Sequence, residues 1–320
     1  MDQRAALHSL VTRHQGPRPY GRPVKAIPAK IRRSMHPQEA FRATLSECLA
    51  QLTANAATLR TGRSVEGLHQ LRIAFRRLEV TLGAFGREFE QEWLEELRGR
   101  AKILSGRLAG ARDLDVFVGS LLDGALAAQG PVMPAAGADA LRAAATAQRD
   151  TAWAAATSCI ASADFARFLD DVAALAQSRL PLGHARKLTG TARRMLRRQA
   201  ARVEKRGRAA QSREEADLHR LRIALKKLRY TAEFFAPLFP APKVKAYLAC
   251  VRQLQEELGH LNDVAHVRQV IGTLLKEQTD GDIRLASGMV LGWYGASTPR
   301  TVKKTMKRYG RFRRLKPFWA

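Results

Sequence analysis

The 320-residue chain is long enough to bury one large core or two smaller ones, and its 46% apolar content excludes an intrinsically disordered protein. Its 55 lysines and arginines against 29 acids give a formal net charge of +26, which excludes an ordinary enzyme acting on a neutral ligand. This excess predicts a polyanionic partner: nucleic acid, an anionic membrane surface or a phosphate polymer. No run of 18 apolar residues is present, so we expect no membrane insertion. Three cysteines without a C-x-x-C pair indicate a reducing compartment.

The first 36 residues are predicted to form a flexible basic arm. They contain four prolines and eight lysines or arginines, but a single acid, Asp2. Apolar residues then recur with helical periodicity, and breaks between them separate four helices that make a first bundle over 37–128. These helices are predicted at 37–59, 65–86, 89–108 and 113–128, the last with Asp113 in its first turn.

Residues 129–183 are predicted to hold a linker, with Pro131 and Pro134, followed by two alanine-rich helices at about 138–160 and 164–180. A second bundle is predicted over 184–319. Its helices are expected at 184–209, 214–236, 242–259, 262–278 and 281–310. No segment has the pattern of a strand, so the predicted fold class is all-α. The basic end of the chain, 300–320, is interpreted as an interaction tail.

One stretch of the sequence occurs twice. Residues 68–78 read L-H-Q-L-R-I-A-F-R-R-L, and residues 218–228 read L-H-R-L-R-I-A-L-K-K-L. The offset of 150 residues continues without a gap, and 9 of the 18 positions from 68 to 85 are identical in the two copies. This match predicts two helical bundles that arose by internal duplication.

On a helix with about 100° per residue, each copy places cations along one stripe beside an apolar stripe. In the first copy the stripe consists of His69, Arg72, Arg76 and Glu79, and its three basic residues are the first row. In the second copy the stripe consists of His219, Arg222, Lys226 and Arg229, which are the second row. Neighbours in a row are about 5–6 Å apart, so they repel each other unless an anion of similar charge density lies along them. Successive phosphates of a polymer satisfy this condition, and arginine suits phosphate because it donates two hydrogen bonds.

Other basic residues are predicted to extend the two rows. They lie a step further round the same helices, on the preceding helix, or at matching positions of the third and fourth helices of each copy. They are Arg77, Lys227, Arg194, Arg198, Arg202, Lys102, Arg252 and Arg112. Residues 184–230 hold 16 basic and 4 acidic residues, whereas 113–171 hold 3 and 8. This segregation predicts a concentrated positive field.

Structural interpretations of the same residues remain open. A row of lysines and arginines can be a solvated face, and a histidine beside an apolar stripe can be a satisfied structural residue. Asp113 and Asp263 are interpreted as helix caps or salt-bridge partners rather than catalytic carboxylates. No metal-ligand, Walker or dinucleotide motif is present in the sequence, so we expect no metal, no cofactor and no enzymatic activity.

Three other functions compete with binding of a phosphate polymer. A nucleic-acid-binding protein would use aromatic residues for base stacking, and the rows offer only Phe75, which lies on the apolar stripe. Nucleic acid is therefore expected as a weaker competing polyanion. A phosphohydrolase would need carboxylates to hold Mg²⁺. A scaffold that recruits other proteins would use the acidic stretch 113–171.

The twin motifs, together with A-R-D-L-D-V-F at 111–117, its echo L-N-D-V-A-H-V at 261–267 and the terminal K-P-F-W, resemble the CHAD family, the conserved-histidine α-helical domain. The resemblance covers 37–319. It implies two bundles related by a pseudo-two-fold axis around a basic central cavity that binds inorganic polyphosphate. It also implies a cytoplasmic protein associated with polyphosphate granules and other granule proteins.

The resemblance implies functional roles for individual residues of this chain. It places the motif histidines at His69 and His219, and it places the motif cations at Arg72, Arg76, Arg222 and Lys226. The Arg–Asp pair of the family falls on Arg112 and Asp113, whereas Asn262 stands where the family more often has arginine. Residues 21–28 resemble the linker that follows a triphosphate-tunnel catalytic domain in some members. Since that domain is absent from this sequence, we expect no hydrolase activity.

Overall fold

The computed structural model of the chain describes residues 22–89, 92–178, 187–278 and 280–320. Helices dominate these residues and no strand occurs among them, so the predicted all-α fold class is confirmed. No helix in the described ranges is long and apolar enough to cross a membrane. Residues 1–21 of the predicted arm and the predicted helix start at 184 lie outside these ranges.

The described ranges contain eleven α-helices. In chain order they are α1 (Pro37–Thr61), α2 (Val65–Phe89), α3 (Glu92–Arg107), α4 (Ala109–Val116), α5 (Asp123–Gln129), α6 (Ala135–Ala161), α7 (Ala163–Gln177), α8 (Leu188–Ala209), α9 (Glu215–Phe235), α10 (Ala241–Glu277) and α11 (Gly281–Phe312). A π-helical segment, Phe117–Leu122, joins α4 to α5.

Two predicted boundaries are wrong. The helices expected at 242–259 and 262–278 are the single helix α10, because Leu258, Leu261 and Val264 continue the buried stripe across the expected break. Asp113 lies inside α4 rather than at a helix start, because α4 already begins at Ala109 and buries Ala111 and Leu114. Arg112 is therefore also an interior helical residue.

The chain forms two compact units. The first holds the described residues of Met1–Ala109 together with Ala155–Met195 and Glu233–Leu238. The second holds Gly110–Ala154, Leu196–Ala232 and Phe239–Ala320. Each unit is assembled from separate stretches of chain. The bounds of the predicted bundles and their internal duplication stay predictions.

In the first unit, α1 packs against α2 and α7, and α3 packs against α2 and α7. Aromatic side chains connect these helices: the Phe75 ring lies 5.7 Å from that of Phe168, and the Phe85 ring lies 5.1 Å from that of Phe41. All four rings are buried. The apolar side of α2 therefore faces the core of this unit.

A basic segment that was predicted to be flexible is docked in the first unit. The side-chain amide of Asn55 on α1 bonds to both backbone groups of Val24, accepting from its N–H at 3.0 Å and donating to its carbonyl at 2.9 Å. The Thr58 hydroxyl donates to the carbonyl of Arg22, and Ile31 is buried. Residues 22–31 thus lie along the bundle as an extended strap.

In the second unit, α10 packs against α11 and the π-helical segment, and α5 packs against α11. The core contains Phe117, Leu141, Val267, Ile271 and Val290, all fully buried. The end of the chain is part of this unit and is not an exposed tail.

The terminal aromatic residues show why the end of the chain is held. The Trp319 ring lies 5.0 Å from the ring of Tyr247 on α10, and the Phe318 ring lies 5.1 Å from that of Phe239. Phe318 and Trp319 are only 7% and 2% exposed. The basic residues of 300–316 therefore lie on an anchored helix and turn.

Candidate functional site

The first row follows from the way α2 packs. Leu68, Leu71 and Phe75 are completely buried, which turns His69, Arg72 and Arg76 onto the neighbouring side of the helix. The three row residues are half-buried. Their cationic groups therefore lie at the edge of the core, where water screens charge less than at a fully exposed surface.

Arg77 was predicted to join the first row, and the structure places it elsewhere. It is 6% exposed, and its guanidinium donates to Oε1 of Gln51 at 3.1 Å and to the backbone carbonyl of Ile27 at 3.2 Å. The same group lies 5.7 Å from the ring centre of Phe234. Arg77 thus holds the strap against the bundle, and its hydrogen bonds are directed into the protein.

The second row repeats the arrangement on α9. Leu221, Leu225 and Leu228 are completely buried, whereas Arg222, Lys226 and Arg229 are half-buried and His219 is exposed. The guanidinium of Arg229 lies 4.8 Å from the ring centre of Tyr230, which is itself buried. The cations again line the border between core and solvent.

Asn262 on α10 connects two residues of the second row. Its Oδ1 atom lies 3.2 Å from Nη1 of Arg222 and 3.0 Å from Nδ1 of His219. One neutral amide therefore holds both an arginine and a histidine of the row. No sequence pattern indicated this contact, because Asn262 was expected at a break between two helices.

Asp263 is a half-buried carboxyl group beside the same row. Burial raises its pKa, although the neighbouring cations Arg222, His260, His266 and Lys226 act in the opposite direction. Burial, and then the Asp263 carboxylate, raise the pKa of Tyr294 on α11 to about 12. Asp263 thus sits among residues of α9, α10 and α11, and it adds negative charge to a site otherwise rich in cations.

The remaining predicted residues are spread over both units. In the first unit, Lys102 is exposed on α3, and Arg194 on α8 donates to the Thr191 hydroxyl at 2.9 Å. The second unit contains the others, each on a helix: Arg112, Arg198, Arg202 and Lys227, which are half-buried, and Arg252, which is exposed. No group of three or more His, Cys, Asp or Glu that could hold a metal ion occurs among the described residues.

Comparison with known proteins agrees with this arrangement of helices. The sequence profile of the CHAD domain matches residues 43–272. The chain belongs to the CHAD family. CHAD is a domain associated with polyphosphate-related proteins. No curated protein matches the chain.

Solved structures resemble this CHAD protein over most of its length. The crystal structure of the CHAD domain from the plant Ricinus communis is 26% identical, with a TM-score of 0.80, and the match covers 92% of this chain and 98% of that one. PptA from Streptomyces chartreusis is 18% identical, with a TM-score of 0.61, and covers 88% of this chain and 100% of its own. The second likeness concerns the fold alone.

The acidic motif of this CHAD chain, A-R-D-L-D-V-F, makes structural contacts in the second unit. Asp115 is buried and accepts a hydrogen bond from Nε1 of Trp153 at 2.9 Å. The backbone carbonyl of Asp113 accepts from Nε2 of His266 at 2.9 Å, and the Phe117 ring meets the His266 ring edge-on. Sequence analysis assigned His266 no role. Its pairing with a carbonyl 153 residues away has no local signal.

Proposed function

We propose that the chain binds inorganic polyphosphate through the first and second rows and catalyses no reaction. The observation that supports this best is the repeated arrangement of the two rows. In each, half-buried cations stand at helical spacing beside a fully buried apolar stripe. The CHAD family assignment supports the same conclusion.

The spacing of the rows suits a polymer better than a single phosphate ion. Residues three or four apart on a helix lie about 5–6 Å from each other, and an isolated phosphate cannot neutralise a whole row. A chain of phosphates places one negative group after another along the helix. Half-burial strengthens each contact, because charge-assisted hydrogen bonds gain from a lower local dielectric.

Nucleic acid fits the same cations less well. Binding of single strands depends on exposed aromatic rings that stack with bases. Phe75 is fully buried against Phe165 and Phe168, and Tyr230 is buried beneath Arg229. The described residues of the two rows therefore contribute cations without a stacking surface, and nucleic acid is expected to compete only weakly.

The absence of catalysis is a separate part of the proposal. Phosphate release from polyphosphate, measured with and without Mg²⁺, is expected to stay at background. Release that depends on Mg²⁺ and is lost when Asp263 is replaced by Asn would contradict it. We also propose a cytoplasmic location at polyphosphate granules, which follows from polymer binding and is tested by imaging the tagged protein in cells with and without the polymer. The basic cavity implied by the CHAD resemblance stays a prediction.

The test of the binding site compares two variants of equal charge. The row variant replaces Arg72, Arg76, Arg222 and Lys226 by Ala. The control variant replaces four exposed cations outside the rows by Ala, namely Lys303, Lys307, Arg311 and Arg314.

We expect the row variant to lose retention on immobilised polyphosphate while its helicity is unchanged. The control variant should keep most of its binding. Loss of four phosphate contacts should also reduce the slope of log affinity against log salt by about 3. Equal losses in both variants would show that net charge, rather than the rows, determines binding. Undiminished binding by the row variant would reject the site.

A further inference from the structure

The second row contains a hydrogen-bond arrangement that fixes the position of a proton on His219. Oδ1 of Asn262 faces Nη1 of Arg222 at 3.2 Å and Nδ1 of His219 at 3.0 Å. A guanidinium N–H can only donate, so the atom that faces Arg222 must be the amide oxygen and not the NH₂ group. That oxygen can only accept from His219 as well. Nδ1 of His219 therefore carries a hydrogen.

This assignment determines what the other ring nitrogen can do. In a neutral imidazole one nitrogen is a donor and the other an acceptor. With the hydrogen on Nδ1, Nε2 of neutral His219 presents a lone pair, which repels a phosphate oxygen. In the imidazolium both nitrogens donate, and Nε2 can then form a charge-assisted hydrogen bond with phosphate. His219 is exposed, so a polymer lying along the second row can reach the ring.

We propose that Asn262 makes His219 a phosphate ligand in its protonated form alone, so that binding through the second row responds to pH. This inference rests on the proposed function and adds a positioning residue to it. Without the Asn262 oxygen, a neutral His219 could carry its hydrogen on Nε2 and donate to phosphate without gaining a proton. The amide thus converts a permanent donor into one that depends on protonation.

The first sequence copy has no amide at the position that corresponds to Asn262. The residue at the corresponding place of the other sequence copy, 150 positions earlier, is Arg112. A guanidinium cannot accept a hydrogen bond. The duplicated sequence therefore supplies this amide acceptor only once, and the pH response is assigned to the second row.

Charged groups on the two helices that carry the pair can also contribute to a pH response. On α9 they are Arg222, Lys226 and Glu215, and Glu215 is held by Arg268 of α10 at 3.0 Å. On α10 they include Asp263 with His260 and His266. A bound polyanion favours the protonated form of a nearby imidazole. Because Asp263 also gains a proton as the pH falls, its contribution has to be separated by a control.

The first experiment locates the hydrogen without any polymer. Long-range ¹H–¹⁵N NMR correlations of the His219 ring at pH 8, assigned with a His219→Gln variant, report which nitrogen is protonated. We expect the Nδ1–H tautomer in the wild type and in Asn262→Asp, which keeps an acceptor. Asn262→Leu, of similar size but without an acceptor, should lose this preference. An Nε2–H tautomer in the wild type would overturn the proposal.

The second experiment measures the consequence for binding. Polyphosphate of defined length is titrated at pH 8 and pH 6 in a His69→Gln background, so that the histidine of the first row does not contribute. We expect the affinity of this parent to rise about tenfold between pH 8 and pH 6, the size of one charge-assisted hydrogen bond. Asn262→Leu should show a much smaller change. Asn262→Asp should shift the midpoint of the change to higher pH, because a carboxylate stabilises the imidazolium.

A control variant separates the two titrating groups. Asp263→Asn removes the neighbouring carboxyl group but keeps the contact between His219 and Asn262, so it should retain the pH response of the parent. An equal pH response in Asn262→Leu and the parent would overturn the inference. So would a pH response that is lost in Asp263→Asn but kept in Asn262→Leu. If the parent binds no polymer at either pH, the proposed function fails, and the NMR result still decides where the hydrogen lies. Circular dichroism checks that each variant is folded.

Discussion

Arg76 and Arg77 are adjacent in sequence and have opposite surroundings. Arg76 is half-buried in the first row, whereas the guanidinium of Arg77 is directed to Gln51 and to the carbonyl of Ile27. One residue therefore stands where a ligand can reach it, and the other stabilises the fold. A simple count of basic residues does not separate these two roles.

We expect Arg76→Ala to weaken polyphosphate binding with little change in the free energy of unfolding. Arg77→Ala should lower the free energy of unfolding by about 1–3 kcal/mol, because the buried Oε1 of Gln51 and the partly buried carbonyl of Ile27 lose their donor. Urea unfolding followed by circular dichroism, together with polymer titration, measures both quantities. A stability loss in Arg76→Ala equal to that in Arg77→Ala would contradict these assignments.

Asp263 leads to a prediction about stability and pH. Burial raises its pKa in the folded protein, so its favourable contribution exists at low pH and is lost as the pH rises through the folded-state pKa. Asp263→Asn should therefore unfold at higher urea concentration than the wild type at pH 7. The difference should shrink as the pH falls towards the ordinary aspartate value of about 3.9.

The matched control is Asp139→Asn. The Asp139 side chain is 79% exposed, so its replacement should change stability little at either pH. Polymer affinity should rise in Asp263→Asn, because a negative group leaves the second row. Lower stability of Asp263→Asn at pH 7 would show that the ion pairs of Asp263 outweigh its desolvation.

Sequence periodicity predicted the apolar stripe of α2, because leucine and phenylalanine recur at helical spacing and are all buried. It did not predict the environment of Arg77, because that side of α2 carries polar or small residues, Gln70, Ala74 and Thr81, and has no stripe of large apolar side chains. The strap that covers it comes from a segment whose prolines suggested flexibility. The role of Asn262 was missed for a related reason. Its partners, Arg222 and His219, lie 40 and 43 residues away, and sequence periodicity indicates only contacts between residues that are close in the chain.

At the scale of elements, α8 and α11 approach closely because Gly207 has no side chain. A Cβ atom placed at Gly207 would overlap the Cζ and hydroxyl oxygen of Tyr309, which is fully buried. We expect Gly207→Ala to lower the free energy of unfolding by about 1–3 kcal/mol, because the ring must move out of a packed site.

Gly272→Ala on α10 provides the comparison. A Cβ there meets nothing within 4 Å, so alanine should raise stability by up to about 1 kcal/mol through its higher helix propensity. Thermal unfolding of the two variants under the same conditions measures the difference. Equal effects would show that helix propensity, and not the contact with Tyr309, determines the result at Gly207.

Helix existence was easier to predict than helix ends. Every predicted helix that falls on described residues has a counterpart, yet α4 already includes Gly110 within the break expected at 109–112, and α10 continues through Gly259. Buried leucines on both sides of such a glycine continue the stripe, and packing then outweighs the modest cost of glycine in a helix. The docked strap could not be predicted, because Asn55 holds it by bonding to the backbone of Val24 and not through a side-chain pattern.

For the whole molecule, the formal charge of +26 predicts a strong dependence of binding on salt. When the protein neutralises phosphates of a polyanion, the counterions of those phosphates are released into the solvent, and high salt opposes this release. The affinity should therefore fall by about 10³-fold or more between 50 and 200 mM salt if six or more phosphates are contacted. Titration with polyphosphates of defined length at these two concentrations measures this. An affinity that does not change with salt would exclude binding through the rows.

The uninterrupted helix α10 places a strict limit on insertions and deletions. It contains 37 residues, about 55 Å at 1.5 Å per residue, and it carries Tyr247 near its start and Asn262 near its middle. Tyr247 packs on the terminal Trp319, and Asn262 bonds to His219. Adding one residue between them would turn one half of the helix by about 100° relative to the other, with no loop to absorb the change. Related chains that keep both contacts should therefore have the same number of residues between these two positions, even where their sequences differ.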